Sequence, residues 1–189
     1  NPETGETARK STGSYYTPRP IVEYMVDESL KQYLLTKTGL PEDTLAELLS
    51  YSEADGSDLN ETQTEAIIDA LHKVKIIDPA CGSGAFPMGI LQKILLILQK
   101  LDPDSKKWLD KLLAGIPDPM YKKELKRKIS QPNYLHKLGI IRDCIFGVDI
   151  QSIAVEISKL RCFLSLVVDE KVEDTADNRG IEHLPNLEF

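Results

Sequence analysis

The chain has 189 residues, of which 41% are hydrophobic and 28% are charged, a composition typical of soluble globular proteins and not of disordered or membrane-spanning chains. Its formal net charge of −7 argues against a free-standing nucleic-acid-binding module that depends mainly on phosphate contacts. Its three cysteines, Cys81, Cys144 and Cys162, show no C-x-x-C spacing, which disfavours a disulfide framework and a zinc site. No signal peptide is recognisable, so we expect a cytoplasmic protein.

The N-terminal part of the chain predicts helices. Apolar residues recur at helical spacing between positions 21 and 34, with Thr17 suited to cap this helix and Pro18 to occupy its first position. A short helix is predicted at 45–51 and a surface loop at 52–60. Asn60 is then expected to cap a further helix.

The next segment predicts a strand, a glycine loop and a helix in succession. Val74–Ile77 forms a short apolar run that ends at Asp78, and a loop of small residues around Gly82 and Gly84 follows. The broad apolar face of 86–98 predicts a buried helix. Because glycines leave backbone N–H groups exposed and tolerate unusual φ and ψ, the loop is a candidate for binding a cofactor.

The second half of the chain repeats this pattern after a long connection. Positions 102–143 are interpreted as a helical insertion, with turn signals at 131–133 and candidate helices at 108–113 and 121–129. The apolar run 144–148 then ends in Asp149, and 153–168 predicts an apolar helix. Two such units predict neighbouring parallel strands whose terminal acids share one edge of the sheet. A third strand would begin near 185–189.

The glycine loop fits some nucleotide ligands poorly. Pro87 occupies the third glycine position of a dinucleotide-binding G-x-G-x-x-G, and Gly84 is followed by Ala85 and Phe86 instead of the G-K-[ST] of a phosphate-binding loop. A ligand with an amine and a ribose but no phosphate remains. S-adenosylmethionine has these groups.

Three segments resemble the N6-adenine DNA methyltransferases. Asp78–Phe86 is similar to their motif I in the D-P-A-C-G-S-G-x-F form of type I modification subunits and fused type II restriction–modification enzymes. Gly13–Pro18 resembles motif X, whose Y-T-P turn contacts the methionine end of the cofactor, and Ile145–Ile150 resembles motif II, whose acid binds the ribose. The order is that of the γ-type enzymes, and 154–161 resembles the helix after motif II in the Eco57I-like group.

This resemblance implies an α/β, Rossmann-like methyltransferase fold that binds S-adenosyl-L-methionine. It comprises a partial parallel sheet with flanking helices (74–189, motifs I and II) and an extra N-terminal helical region (1–73, motif X). The cofactor-binding residues that it implies are Tyr16, Thr17, Pro18, Asp78, Pro79, Ala80, Cys81, Gly82, Gly84, Phe86, Asp149 and Ile150.

The residues that perform methyl transfer are not found in this sequence. The family's motif IV, [DN]-P-P-[YFW], binds the flipped adenine. The segment Asp118–Tyr121 imitates it, but Met120 replaces a proline and the segment precedes motif II. No catalytic residue is therefore assigned, and Cys81 has no base placed by any motif. We expect this chain to be inactive alone and to belong to a longer enzyme.

The resemblance implies duplex DNA as the partner of that longer enzyme, with a fused nuclease and a target recognition domain as further possible parts. Methylation of protein glutamine or RNA, or a non-catalytic cofactor-binding module, remains an alternative. Between Asp118 and Arg142 there are seven Lys or Arg residues against two acids. The basic cluster Lys122–Lys128 is predicted to hold the DNA backbone, although a solvated helix face is the simpler interpretation.

Overall fold

The computed structural model describes residues 17–51 and 58–171, which form eight α-helices, one 3₁₀ turn and a two-stranded sheet. Tyr16, the loop at 52–57 and the third strand predicted near 185–189 lie outside the described residues. None of the described helices is long and apolar enough to cross a membrane. The elements are α1 (Arg19–Thr38), α2 (Glu42–Leu49), α3 (Glu61–Lys73), β1 (Ile76–Asp78), α4 (Ala85–Leu101), α5 (Lys106–Ala114), α6 (Pro119–Arg127), the 3₁₀ turn (Lys128–Ser130), α7 (Pro132–Asp143), β2 (Ile145–Gly147) and α8 (Ser152–Val167).

The start of α1 differs from the prediction. Pro18 lies just before the helix instead of at its first position, because its ψ of 140° is extended. No side chain caps this end, so Thr17 is not a capping residue, and the carbonyl of Pro18 accepts hydrogen bonds from the N–H groups of Ile21 and Val22. The proline in the first turn is Pro20, whose missing N–H costs nothing there.

The prediction that Asn60 caps a helix is confirmed. Its Oδ1 accepts a hydrogen bond of 2.9 Å from the N–H of Gln63, and Oε1 of Gln63 accepts one of 2.9 Å from the N–H of Asn60. This reciprocal capping box satisfies two N–H groups at the start of α3, a contribution of about 1 kcal/mol.

The two strands lie side by side and run parallel, as the repeated strand–helix pattern predicts. Ile76 pairs with Ile145 and Asp78 with Gly147. The N–H of Ile76 donates to the carbonyl of Cys144, and the N–H of Val148 donates to the carbonyl of Asp78, both at 2.8 Å. The sheet is small and the described residues are mostly helical, so the larger Rossmann-like arrangement stays a prediction.

Helix α7 was not predicted, because 131–133 was interpreted as a turn inside the insertion. Pro132 is instead a residue of the first turn of the helix. Eight of the twelve residues of α7, from Tyr134 to Ile141, are buried. A helix that is enclosed on all sides lacks the amphipathic period by which a sequence pattern is recognised.

The insertion packs against the N-terminal region through complementary charges. On α3, Glu61, Glu65 and Asp69 lie one turn apart, and on α5, Lys107 and Lys111 are spaced in the same way. Lys107 pairs with Glu61, and Lys111 pairs with both Glu65 and Asp69. Hydrogen bonds and charge attraction from Lys111 lower the pKa of Asp69 despite its partial burial. The three acids of α3 are thus partly neutralised by lysines of the insertion.

Candidate functional site

The glycine loop between β1 and α4 is folded tightly onto the end of β2. The N–H of Cys81 donates to the carbonyl of Val148 at 3.0 Å, and the N–H of Gly84 donates to the carbonyl of Cys81 at 2.8 Å. Gly82 and Gly84 have φ values of +54° and +85°, which side chains disfavour. A Cβ on Gly84 would lie 2.5 Å from Oγ of Ser158, whereas the space beside Gly82 is open.

The acids that end the two strands have different hydrogen bonds. Oδ1 of Asp78 accepts from the N–H of Ala80 at 3.1 Å, while its Oδ2 is buried and has no hydrogen-bond partner among the described residues. Oδ2 of Asp149 accepts from the N–H of Gly82, and its Oδ1 accepts from the N–H of Gln151, both at 2.8 Å. Asp149 therefore fastens the glycine loop, whereas Asp78 keeps one free acceptor oxygen.

Helix α8 supports the same loop from the side. Nη1 of Arg161 donates to the carbonyl of Ser83 at 2.8 Å. One turn earlier on α8, Ser158 is fully buried against Gly84. Together with the bond between Asp149 and Gly82, these contacts mean that Gly82, Ser83 and Gly84 each touch the second strand–helix unit. The sequence places both units at one edge of the sheet, but it does not indicate that α8 holds the loop.

A cavity of about 610 Å³ adjoins the loop, and a second cavity of about 380 Å³ adjoins β1. The structure distributes the predicted cofactor-binding residues between them. The larger cavity takes five of these residues: Thr17, Ala80, Cys81, Gly82 and Phe86. The smaller takes Asp78 and Pro79, and Phe86 also lines it. Pro18, Gly84, Asp149 and Ile150 line neither cavity. Asp149 nevertheless contacts the backbone of the loop at Gly82, and Gly84, itself a loop residue, packs against Ser158 of α8.

Cys81 is buried within the glycine loop, with 4% of its surface exposed. Burial raises the pKa of its thiol, and the negative charges of Asp78 and Asp149 raise it further. The neutral thiol is therefore favoured, and thiolate is the form that nucleophilic catalysis requires. This supports the interpretation of Cys81 as a small loop residue.

Several residues of the larger cavity were not predicted from the sequence. One of them is Lys93, whose side chain is almost fully buried. It pairs with Asp27, donates to the carbonyl of Leu49 at 2.8 Å, and lies 4.2 Å from the ring centre of Tyr51. A lysine between apolar neighbours on a buried helix is a signal that could have identified it. Arg19, Glu23, Gln92 and Arg161 also line this cavity.

No residue of the basic cluster 122–128 lines either of these two cavities. Lys128 is not a free member of the cluster, because it pairs with Glu170 and lies over the ring of Tyr134. Asn133 of α7, which follows the cluster in sequence, accepts a hydrogen bond through Oδ1 from Nε2 of Gln99 near the C-terminal end of α4. Binding of the DNA backbone by this cluster stays a prediction.

Comparison with known proteins identifies one relevant relative. A protein of Methanocaldococcus jannaschii, named as a putative type II restriction enzyme and methyltransferase, is 33% identical to this chain over 194 residues. The match supports a relationship to restriction–modification methyltransferases. It covers 97% of this chain but only 14% of the relative's own length. No protein family profile and no solved structure matches the chain.

Proposed function

We propose that the chain is the S-adenosylmethionine-binding portion of a DNA (adenine-N6) methyltransferase of a restriction–modification or phage-defence system. One observation supports this proposal above the others. The ends of two adjacent parallel strands place Asp78 and Asp149 on either side of a single glycine loop. Acceptors at neighbouring strand ends suit a ligand that lies across the carboxyl edge of a parallel sheet.

The residues around the loop fit the groups of this cofactor. Oδ2 of Asp78 has no hydrogen-bond partner among the described residues, and a turn of this carboxylate would let it accept from the ammonium group, a charged donor. Asp149 would accept from the ribose hydroxyls, because each carboxylate oxygen has a second lone pair beyond the one used by the backbone. The open space beside Gly82 would let a ligand approach the backbone. Thr17 would contact the methionine end.

When bound, S-adenosylmethionine supplies the methyl group on its sulfonium. The contribution of this chain would be to bind and orient that group, which lowers the entropic part of the barrier to transfer. The 189 residues contain no [DN]-P-P-[YFW] segment, so we propose that the target adenine is held by another part of a longer protein. On this proposal the chain binds the cofactor but does not transfer the methyl group alone.

Calorimetric titration of the chain with S-adenosylmethionine tests cofactor binding. We expect one site per chain and a roughly tenfold or greater weakening in Asp78→Asn and in Asp149→Ala, since each variant loses a charged acceptor. Asp104→Asn is the matched control, because Asp104 is exposed and Lys106 is its one ion-pair partner among the described residues. Absence of binding by the natural chain, or equal affinity in all three variants, would contradict the proposal.

Methylation by the longer protein tests the substrate. Incubation with labelled S-adenosylmethionine and either unmodified duplex DNA, RNA or protein should label only the DNA. Mass spectrometry of the digested DNA should then detect N6-methyladenine. Label in RNA or on protein glutamine would contradict the assignment of DNA as the substrate.

A further inference from the structure

Three cationic side chains line the 610 Å³ cavity beside the glycine loop: Arg19, Lys93 and Arg161. Two of them are paired with acids of α1. Nε of Arg19 lies 2.7 Å from Oε1 of Glu23, and Nζ of Lys93 lies 2.9 Å from Oδ1 of Asp27. These two positive charges are therefore already balanced within the protein.

Arg161 is different, because its contact is with a neutral group. Its Nη1 donates to the carbonyl of Ser83 at 2.8 Å, and it has no ion pair within residues 17–51 and 58–171. A guanidinium group has five N–H donors, so one contact leaves most of them available. The loop thus holds an exposed, uncompensated positive charge at the wall of the cavity.

We propose that Arg161 forms a subsite for the carboxylate of the amino-acid part of the cofactor, an inference that rests on the function proposed above. The planar guanidinium group matches a carboxylate through two parallel hydrogen bonds. Its bond to Ser83 holds the side chain before the ligand arrives, so less conformational freedom is lost on binding. Thr17, proposed above to contact the methionine end of the cofactor, lines the same cavity as Arg161, so the two residues would meet the amino-acid part of one ligand.

Two ligands that differ only in the carboxylate test this subsite. The 189-residue chain is titrated with S-adenosylmethionine and with its decarboxylated form, in the natural protein and in Arg161→Gln. We expect the natural chain to prefer S-adenosylmethionine by about tenfold, since a hydrogen-bonded charge pair contributes at this level. In Arg161→Gln the affinity for S-adenosylmethionine should fall by about tenfold, while that for the decarboxylated ligand stays within about twofold.

Two further variants separate the carboxylate from other effects. Lys159 lies on the same helix, pairs with Glu156 and does not line the cavity. Lys159→Gln therefore removes a cation and should leave both affinities unchanged. Arg161→Lys retains the charge and should retain part of the preference. Equal weakening of both ligands in Arg161→Gln would mean that Arg161 only holds the loop, and equal affinity of the natural chain for both ligands would also overturn the subsite. If the natural chain bound neither ligand, the proposed function itself would fail.

Discussion

The two strand–helix units share one sequence pattern but differ in how they use it. In the first unit, the terminal Asp78 keeps a free oxygen, and α4 has eight buried residues along its length. In the second unit, both oxygens of Asp149 bind backbone N–H groups, and only three residues of α8 are buried. The large aliphatic residues that α8 exposes instead are Ile153, Ile157, Leu160 and Leu164.

This difference distinguishes a strand-end acid with an unpaired oxygen from one that also holds the glycine loop. The first unit supplies the loop and the available acceptor, while the second unit holds that loop through Asp149, Ser158 and Arg161. Two acids at similar sequence positions therefore differ in their hydrogen bonds, because the fold decides which carboxylate oxygens meet backbone N–H groups.

The largest expected effect tests the burial of the two helices. Ile94 of α4 is fully buried, whereas Ile157 of α8 is 42% exposed. Ile94→Ala should lower the free energy of unfolding by about 2–5 kcal/mol, because it leaves a cavity in the core. Ile157→Ala should cost less than about 1 kcal/mol. Urea denaturation of both variants measures this, and equal losses would remove the contrast between the helices.

The next effect concerns the contact between the loop and α8. Gly84→Ala should lower the free energy of unfolding by about 2–4 kcal/mol, since it adds a Cβ at positive φ and close to Ser158. Gly82→Ala is the matched control, because it shares the positive φ but meets no atom within 4 Å. It should cost about 1–2 kcal/mol. A loss at Gly84 no greater than that at Gly82 would argue against close packing by α8.

A smaller difference is expected between the two strand-end acids. Asp149→Asn should lower the free energy of unfolding by about 1.5–3 kcal/mol, because one of two N–H groups loses its charged acceptor. Asp78→Asn should change it by less than about 0.5 kcal/mol, since an amide oxygen can still accept from Ala80. Thermal unfolding without ligand compares the two. A larger loss for Asp78→Asn would reverse the roles assigned to the acids.

The smallest expected effect concerns Asp102, an acid with a structural role outside the two strand ends. Asp102 follows α4, and its carboxylate accepts from the N–H groups of Lys107 and Trp108. Burial opposes ionisation of Asp102, but the nearby His136, whose Nε2 lies 3.8 Å from Oδ2, and hydrogen bonds from those backbone groups lower its pKa overall. A depressed pKa in the fold gives stability that is complete above the ordinary pKa of 3.8 and is lost as the pH falls through the folded value.

Unfolding measured from pH 6 down to pH 2 tests this acid. The natural chain should lose more stability across this range than Asp102→Asn, which has no carboxylate to protonate at this position. Identical pH profiles for the two proteins would contradict a stabilising role for the ionised Asp102.

Local patterns were enough to predict the elements that position the site. The helix cap at Asn60, the apolar runs before Asp78 and Asp149, and the glycine loop depend on neighbours in sequence, and the structure contains each of them. The bond from Arg161 to Ser83 joins residues 78 positions apart. No local period indicates such a contact.

The errors have physical causes of the same kind. The buried helix α7 has no polar face, so its pattern resembled a loop with turn residues. Pro18 was predicted at the first helical position, but Pro20, which also suits the first turn, occupies that turn instead. Tyr16 lies outside the described residues, so its role stays a prediction.

The most direct test of cofactor binding by the glycine loop compares affinity with stability in Gly82→Ala. The added methyl group meets no protein atom, but it would occupy the space through which a ligand approaches the backbone. Titration calorimetry should detect S-adenosylmethionine binding to the natural chain and at least a roughly tenfold loss of affinity in Gly82→Ala. The free energy of unfolding of this variant should fall by only about 1–2 kcal/mol. Unchanged affinity in Gly82→Ala would contradict binding at this loop.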